Sequence, residues 1–159
     1  MHLDMVRPGV ILYGDAPTAD CAGILNLHPA MTLKSTIAMV KEVGKDAQVS
    51  YGRTFTAPQD MLVATLPVGY ADGLNRHLGN GAWEMIVGGA KAKTIGNICM
   101  DSCMIDITDI EGIEEGDEVI IFSAERGNTA EDMARVLDTI SYEIMTSISQ
   151  RVKRIYTER

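Results

Sequence analysis

Between residues 83 and 123 the chain is cut into four short apolar runs, 83–87, 90–95, 103–108 and 118–123. They are set off by Gly79-Asn80-Gly81, Gly88-Gly89, Gly96-Asn97 and Glu115-Gly116-Asp117. Runs of this length are short for helices and normal for strands, which centre on about five or six residues. Repeated at this spacing, they predict a small barrel or a sandwich. Upstream, Leu33, Ser35, Ile37 and Met39 alternate with Lys34, Thr36 and Ala38, the period of a strand with one buried face. Residues 61–68 are apolar apart from Thr65, which predicts a strand buried on both faces whose ladder ends at Pro67. One helix is expected after residue 129. Thr129 with Asp132 reads as a capping box, and Ala130, Met133, Ala134 and Leu137 share one helical face. Residues 152–157 read as a closing strand, and 15–29 as an irregular linker rich in turn formers.

A chain of 159 residues makes one domain that can bury its own core. Its net charge of -8 argues against a nucleic-acid surface, which needs clustered Lys and Arg. The basic tail Arg151, Lys153, Arg154 and Arg159 is the exception, and it reads as a solvated strand edge of alternating charge. Three cysteines form no disulfide framework, so a reducing cytoplasm is the expected setting. Cys99 and Cys103 stand four apart with no histidine beside them, so no metal site is expected and Cys99 reads as a packing residue. Met1-His2-Leu3-Asp4 has neither a basic leader nor a long apolar run, and no membrane association is expected.

Two tyrosines stand at glycine bends. Tyr51 precedes Gly52, and Tyr70 lies between Gly69 and Ala71-Asp72-Gly73. Such a tyrosine either caps a strand end or offers its ring to a cleft. A third feature is Gly96-Asn97-Ile98-Cys99-Met100-Asp101. Taken with Met5-Val6-Arg7-Pro8-Gly9-Val10, Val49-Ser50-Tyr51-Gly52, the stretch 66–73 and Ile140-Ser141-Tyr142-Glu143, it completes a pattern. The chain resembles the C-terminal half of the alanine racemase family, pyridoxal-phosphate (PLP) enzymes that interconvert L- and D-alanine for bacterial cell walls. Asn75-Arg76-His77 and the ending Ser149-Gln150-Arg151-Val152-Lys153-Arg154 look most like racemase modules fused behind a cell-wall ligase.

The resemblance implies a mainly β domain over residues 15–159. It would be a small closed Greek-key β-barrel with one or two short helices near its C-terminus. Residues 1–14 would be the stub of an absent PLP-binding (β/α) barrel. It further implies PLP as cofactor, a small amino-acid substrate and a homodimer whose partner shares the active site. Tyr51 then matches the family's second base, supplied from the partner subunit opposite a cofactor-anchoring lysine. Arg7 matches the arginine facing the pyridine nitrogen, the amides of Gly9 and Val10 and the hydroxyl of Tyr142 match phosphate contacts, the Met100 amide matches a contact to the substrate carboxylate, and Tyr70 lines the entrance. A guanidinium is always protonated and only donates, so it leaves the ring nitrogen unprotonated and weakens the electron sink.

Read without the resemblance, Arg7 is a surface charge before a turn and Tyr142 a half-buried helix tyrosine. A free tyrosine titrates near about 10, so a base at Tyr51 needs supporting charge or donors, and the chain itself identifies none. Arg53-Thr54-Phe55 departs from the small residue and tyrosine that the family often carries there, which affects the shape of the entrance. Three readings stand: part of an alanine racemase, a stand-alone β-barrel binding or interaction domain, and a racemase for serine or another amino acid. Lys34, Lys41 and Lys45 lack the setting of a cofactor lysine, so this chain alone is expected to be inactive and not to hold PLP.

Overall fold

The computed structural model describes residues 4–21, 24–124 and 128–157. Met1 to Leu3 of the stub and Arg159 of the tail lie outside them. The strands are β1 (Leu33–Thr36), β2 (Met39–Val43), β3 (Gln48–Val49), β4 (Phe55–Thr56), β5 (Met61–Leu66), β6 (Glu84–Val87), β7 (Ala90–Ile95), β8 (Cys103–Asp106) and β9 (Glu118–Phe122). Two helices follow, α1 (Ala130–Val136) and α2 (Ser141–Ser147).

Seven strands form one antiparallel sheet in the order β1-β9-β6-β7-β8-β5-β2, while β3 and β4 pair separately. The two outer strands are consecutive in the chain, with Ile37 and Ala38 between them. The Ile37 amide donates to the Asp117 carbonyl and the Ala38 amide to the Thr65 carbonyl, each at 2.9 Å. One bent segment therefore pairs with β9 through its first half and with β5 through its second, and the sheet curls round into a barrel. β6, β7 and β8 make a meander, with β9 beside β6 and β5 beside β8, so the connections skip neighbours in the Greek-key manner. Turn spacing left a barrel or a sandwich open, and the mainly β barrel that the resemblance implies is what forms.

β5 is buried on both faces, as its unbroken apolar run requires. Ala64 and Leu66 enter the main core with Met85, Ile105, Ile121 and Phe122. Met61 and Val63 face the other way, into a smaller cluster with Val49, Ala57 and Ile95 under the β3–β4 hairpin. Each of the larger of these side chains contributes about 1.5–3 kcal/mol by leaving water. Trp83 is buried, and its indole N–H finds the Ile121 carbonyl at 2.8 Å.

The helix expected after residue 129 is α1. The Thr129 amide donates to Asp132 Oδ2 at 2.9 Å, and the Asp132 amide donates back to Thr129 Oγ1 at 3.0 Å. Met133 and Ala134 are buried, with Ala130 and Leu137 packed beside them. Residues 152–157 are not a strand. Arg154 turns its guanidinium onto the carbonyls of Ile148, Ser149 and Val152, so two acceptors upstream of the segment and one within it go to a side chain instead of a ladder. Ile155 and Tyr156 beyond it stay exposed.

Candidate active site

The loop at residues 96–101 carries Met100 and anchors both tyrosine turns. On one side it meets the connection between β3 and β4. Gly96 turns at φ 61°, and a Cβ there would lie 2.5 Å from the Cβ of Ser50, so a larger residue would push the two loops apart. The Ser50 hydroxyl donates to the Asn97 carbonyl at 2.9 Å, and Asn97 Nδ2 donates to the Tyr51 carbonyl at 2.8 Å. Ser50, Gly52 and Arg53 have φ of 71°, 75° and 53°. This run of left-handed residues presents the Tyr51 ring to solvent, where it is 74% exposed.

The other side of the same loop holds the Tyr70 turn. The Tyr70 amide donates to the Cys99 carbonyl and the Ala71 amide to the Met100 carbonyl, both at 3.0 Å. Only glycine fits before Tyr70, because a Cβ at Gly69 would come within 2.3 Å of the Cys99 oxygen. Tyr51, Tyr70 and Met100, all exposed, are thus brought onto three joined loops, the Tyr70 turn held by backbone bonds and the Tyr51 turn by the side chains of Ser50 and Asn97. The Arg76 guanidinium reaches the Ile98 carbonyl at 2.9 Å and braces the loop from a fourth segment. Tyr70 also lines a groove of about 380 Å³ whose far wall is α1 and α2, with Met133, Leu137 and Glu143.

Below this rim lies a polar contact that local sequence reading missed. Asp72 is 8% exposed. Its Oδ2 accepts the Gly69 amide at 2.8 Å and its Oδ1 accepts Arg151 Nε at 2.6 Å, while another guanidinium nitrogen of Arg151 donates to the Asp101 carboxylate. Burial pushes the Asp72 carboxyl up, but the hydrogen bonds from Arg151 and the Gly69 amide, together with the Arg151 charge, outweigh it and hold the group below its ordinary value. The bonds to Asp72 and Asp101 hold Arg151 still more firmly protonated. Arg151 is therefore not part of a solvated strand edge. No local pattern reveals this, because 79 residues separate it from Asp72.

Arg7, Gly9 and Val10 hang on a different frame. Arg7 is exposed ahead of a 3-10 turn, Gly9–Tyr13, in which Val10 is buried. Tyr13 ties this turn to Ala30 by a 3.0 Å backbone bond. Gly9 has φ 61° with nothing within 4 Å of the position a Cβ would take. Tyr142 stands half exposed on α2, which is tied to the Tyr70 turn by the Ser147 hydroxyl donating to the Gly73 carbonyl at 3.3 Å. Among the described residues no hydrogen bond links Arg7, Gly9 or Val10 to the loops of Tyr51, Tyr70 and Met100.

Cys99 packs with its Sγ 3.8 Å from Ser50 Oγ, and Cys103 is fully buried, its thiol pushed up to about 12 by burial and by the nearby Cys99 and Asp72. Among the described residues no three His, Cys, Asp or Glu side chains converge as a metal site, and no helix is long and apolar enough to cross a membrane.

Known proteins resemble this chain in both sequence and fold. Residues 30–156 match the family described as alanine racemase, C-terminal domain. Alanine racemase 2 of Caldanaerobacter subterraneus is 50% identical over 160 residues, covering 99% of this chain and 41% of the relative. Among solved structures, alanine racemase of Clostridium difficile 630 superposes with a TM-score of 0.87 at 41% identity, over 94% of this chain and 39% of that one. That of Streptomyces coelicolor does so with a TM-score of 0.88 at 37% identity, over 97% and 41%. The chain spans about two-fifths of the length of these relatives. With a matching family model over most of its length, the chain belongs to the alanine racemase C-terminal domain family.

Proposed function

We propose that this chain works as the C-terminal portion of a cytoplasmic, PLP-dependent alanine racemase. Residues 15–159 supply its β domain, and residues 1–14 lead in from a (β/α) barrel that carries the cofactor lysine. The observation that carries this reading is the joining of Tyr51, Tyr70 and Met100 through the 96–101 loop, in a chain of this family.

The donors of Arg7, Gly9, Val10 and Tyr142 suit the cofactor by type. Arg7 offers a permanent cation for the ring nitrogen. The amides of Gly9 and Val10 and the Tyr142 hydroxyl offer donors for a phosphate, and the open approach over Gly9 admits one closely. When bound, PLP spreads the negative charge that develops at the α-carbon of the amino acid. This chain's own residues do much of the rest. The Tyr51 oxygen takes the α-proton of L-alanine while the lysine of the (β/α) barrel serves the opposite face, the two exchanging roles in the reverse direction; the Met100 amide holds the carboxylate, and Tyr70 narrows the approach. Tyr51 and Tyr70 serve the site of the partner subunit in a homodimer, while Arg7, Gly9, Val10 and Tyr142 serve their own. The separate placing of Arg7, Gly9 and Val10, on a turn tied to Ala30, supports that division for those three. Alanine is the substrate this reading assigns.

The test is Tyr51→Phe in the full-length enzyme, with deuterium wash-in at the α-carbon followed early for each enantiomer in heavy water. The ring still packs and only one oxygen is lost. Exchange from L-alanine should fall by about a hundred- to ten-thousand-fold, the usual cost of losing a positioned general base, while exchange from D-alanine persists. Net racemisation should drop equally in both directions, because turnover needs both bases. L-alanine exchanging at the wild-type rate would overturn the assignment of Tyr51.

A further inference from the structure

We propose that Arg151 is a positioning residue for the substrate side of this site, a fork that sets the Tyr70 turn against the Met100 loop. The inference rests on the racemase reading above.

Three segments distant in sequence meet at one guanidinium. Nε of Arg151 bonds Asp72, in the turn that presents Tyr70, and a second nitrogen bonds Asp101, the neighbour of Met100. The Ser149 amide adds a bond to the Asp72 carbonyl at 3.1 Å. The base from which Arg151 reaches is itself fixed, because Arg154 binds the carbonyls of Ile148, Ser149 and Val152 on either side of it. A planar fork can serve two carboxylates at once, whereas a lysine ammonium is a single point of charge on a flexible stem. Removing the guanidinium leaves Asp72 as a buried charge without its cation, close to a second carboxylate, and both loops shift to relieve it.

The Tyr51 end of the 96–101 loop has its own anchors. Asn80 Nδ2 donates to Asn97 Oδ1 at 3.1 Å, and Arg76 holds Ile98. Loss of Arg151 therefore disturbs the residues that contact and admit substrate more than the base. The expected signature is a KM effect, with proton exchange at saturating substrate preserved.

In the full-length enzyme, Arg151→Gln should raise KM for alanine by roughly ten- to a hundred-fold, the scale of an ångström-level misplacement, with kcat changed by less than about threefold. Arg151→Lys should recover little of this. Asp101→Asn keeps the buried Asp72 pair, so it preserves the fold and gives a smaller rise in the same direction. Adding Asp101→Asn to Arg151→Gln should raise KM no further, because both remove one shared bond.

A second readout needs neither cofactor nor turnover. In Arg151→Gln of this chain, hydrogen exchange at the Tyr70 and Ala71 amides should speed up about tenfold or more, the factor carried by one charge-assisted hydrogen bond, while amides of β6 and β9 keep wild-type protection. Unchanged protection at Tyr70 and Ala71 overturns the clamp, and so does a wild-type KM in Arg151→Gln. If the wild-type enzyme fails to racemise, the reading beneath fails, and the clamp stands or falls on exchange alone.

Discussion

Ser50 holds φ 71° and ψ 171°, a region that costs a residue with a side chain about 1–3 kcal/mol, and it does so directly before Tyr51. The bond from its hydroxyl to the Asn97 carbonyl offsets part of that cost. Two substitutions separate the effects. Ser50→Ala keeps the strain and loses the bond, and should destabilise by about 0.5–1.5 kcal/mol. Ser50→Gly loses the same bond but removes the strain, so it should melt above the alanine variant. Thermal unfolding of the pair gives the order. A glycine variant that melts lower would show that no strain resides there. The Tyr51 corner was legible as a tyrosine beside a glycine. The conformation of Ser50 was not, because it is held by Asn97, 47 residues away.

Seven-residue helices such as α1 are marginal alone and depend on their ends and their docking face. Thr129→Ala removes the hydroxyl that accepts the Asp132 amide and should cost about 0.5–2 kcal/mol. The sole tryptophan, Trp83, is buried in the core and reports unfolding by fluorescence. The urea midpoint should fall with an unchanged slope. A lower slope would mean that α1 detaches before the barrel melts. This element was read correctly because a cap and its partner lie three residues apart. The segment at 152–157 was misread for the converse reason: its alternation is real, but strand formation needs a partner edge, and Arg154 binds carbonyls there first.

At the scale of the whole molecule, two carboxyls among the described residues are held below their ordinary value of 3.8. Burial opposes this at both, but Arg151 and the Gly69 amide prevail at Asp72, as Thr129 and Arg135 do at Asp132. A depressed folded value means that the group adds stability above its unfolded value and loses it as pH falls through the folded one. Stability should therefore fall away below about pH 4 as these groups are titrated. Thermal midpoints across pH 2 to 7 should show the decline in wild type and a shallower one in Asp132→Asn, which lacks one of the linked protons. An identical slope in the variant would remove Asp132 from the linkage.

Periodicity, turn residues and capping are local, so the sequence by itself determined the barrel strands other than β2, the two-sided burial of β5 and the α1 helix. The resemblance of its spaced motifs pointed to Tyr51, Tyr70 and Met100 together. Tertiary structure alone decided that one bent segment, β1 running into β2, closes the sheet, since hydrogen-bond partners across a barrel leave no mark on either strand's own pattern. It alone decided that Asp72, Asp101 and Arg151 meet. Opposite charges far apart in a chain identify one another only after the barrel has brought their loops within hydrogen-bond reach and taken Asp72 out of water.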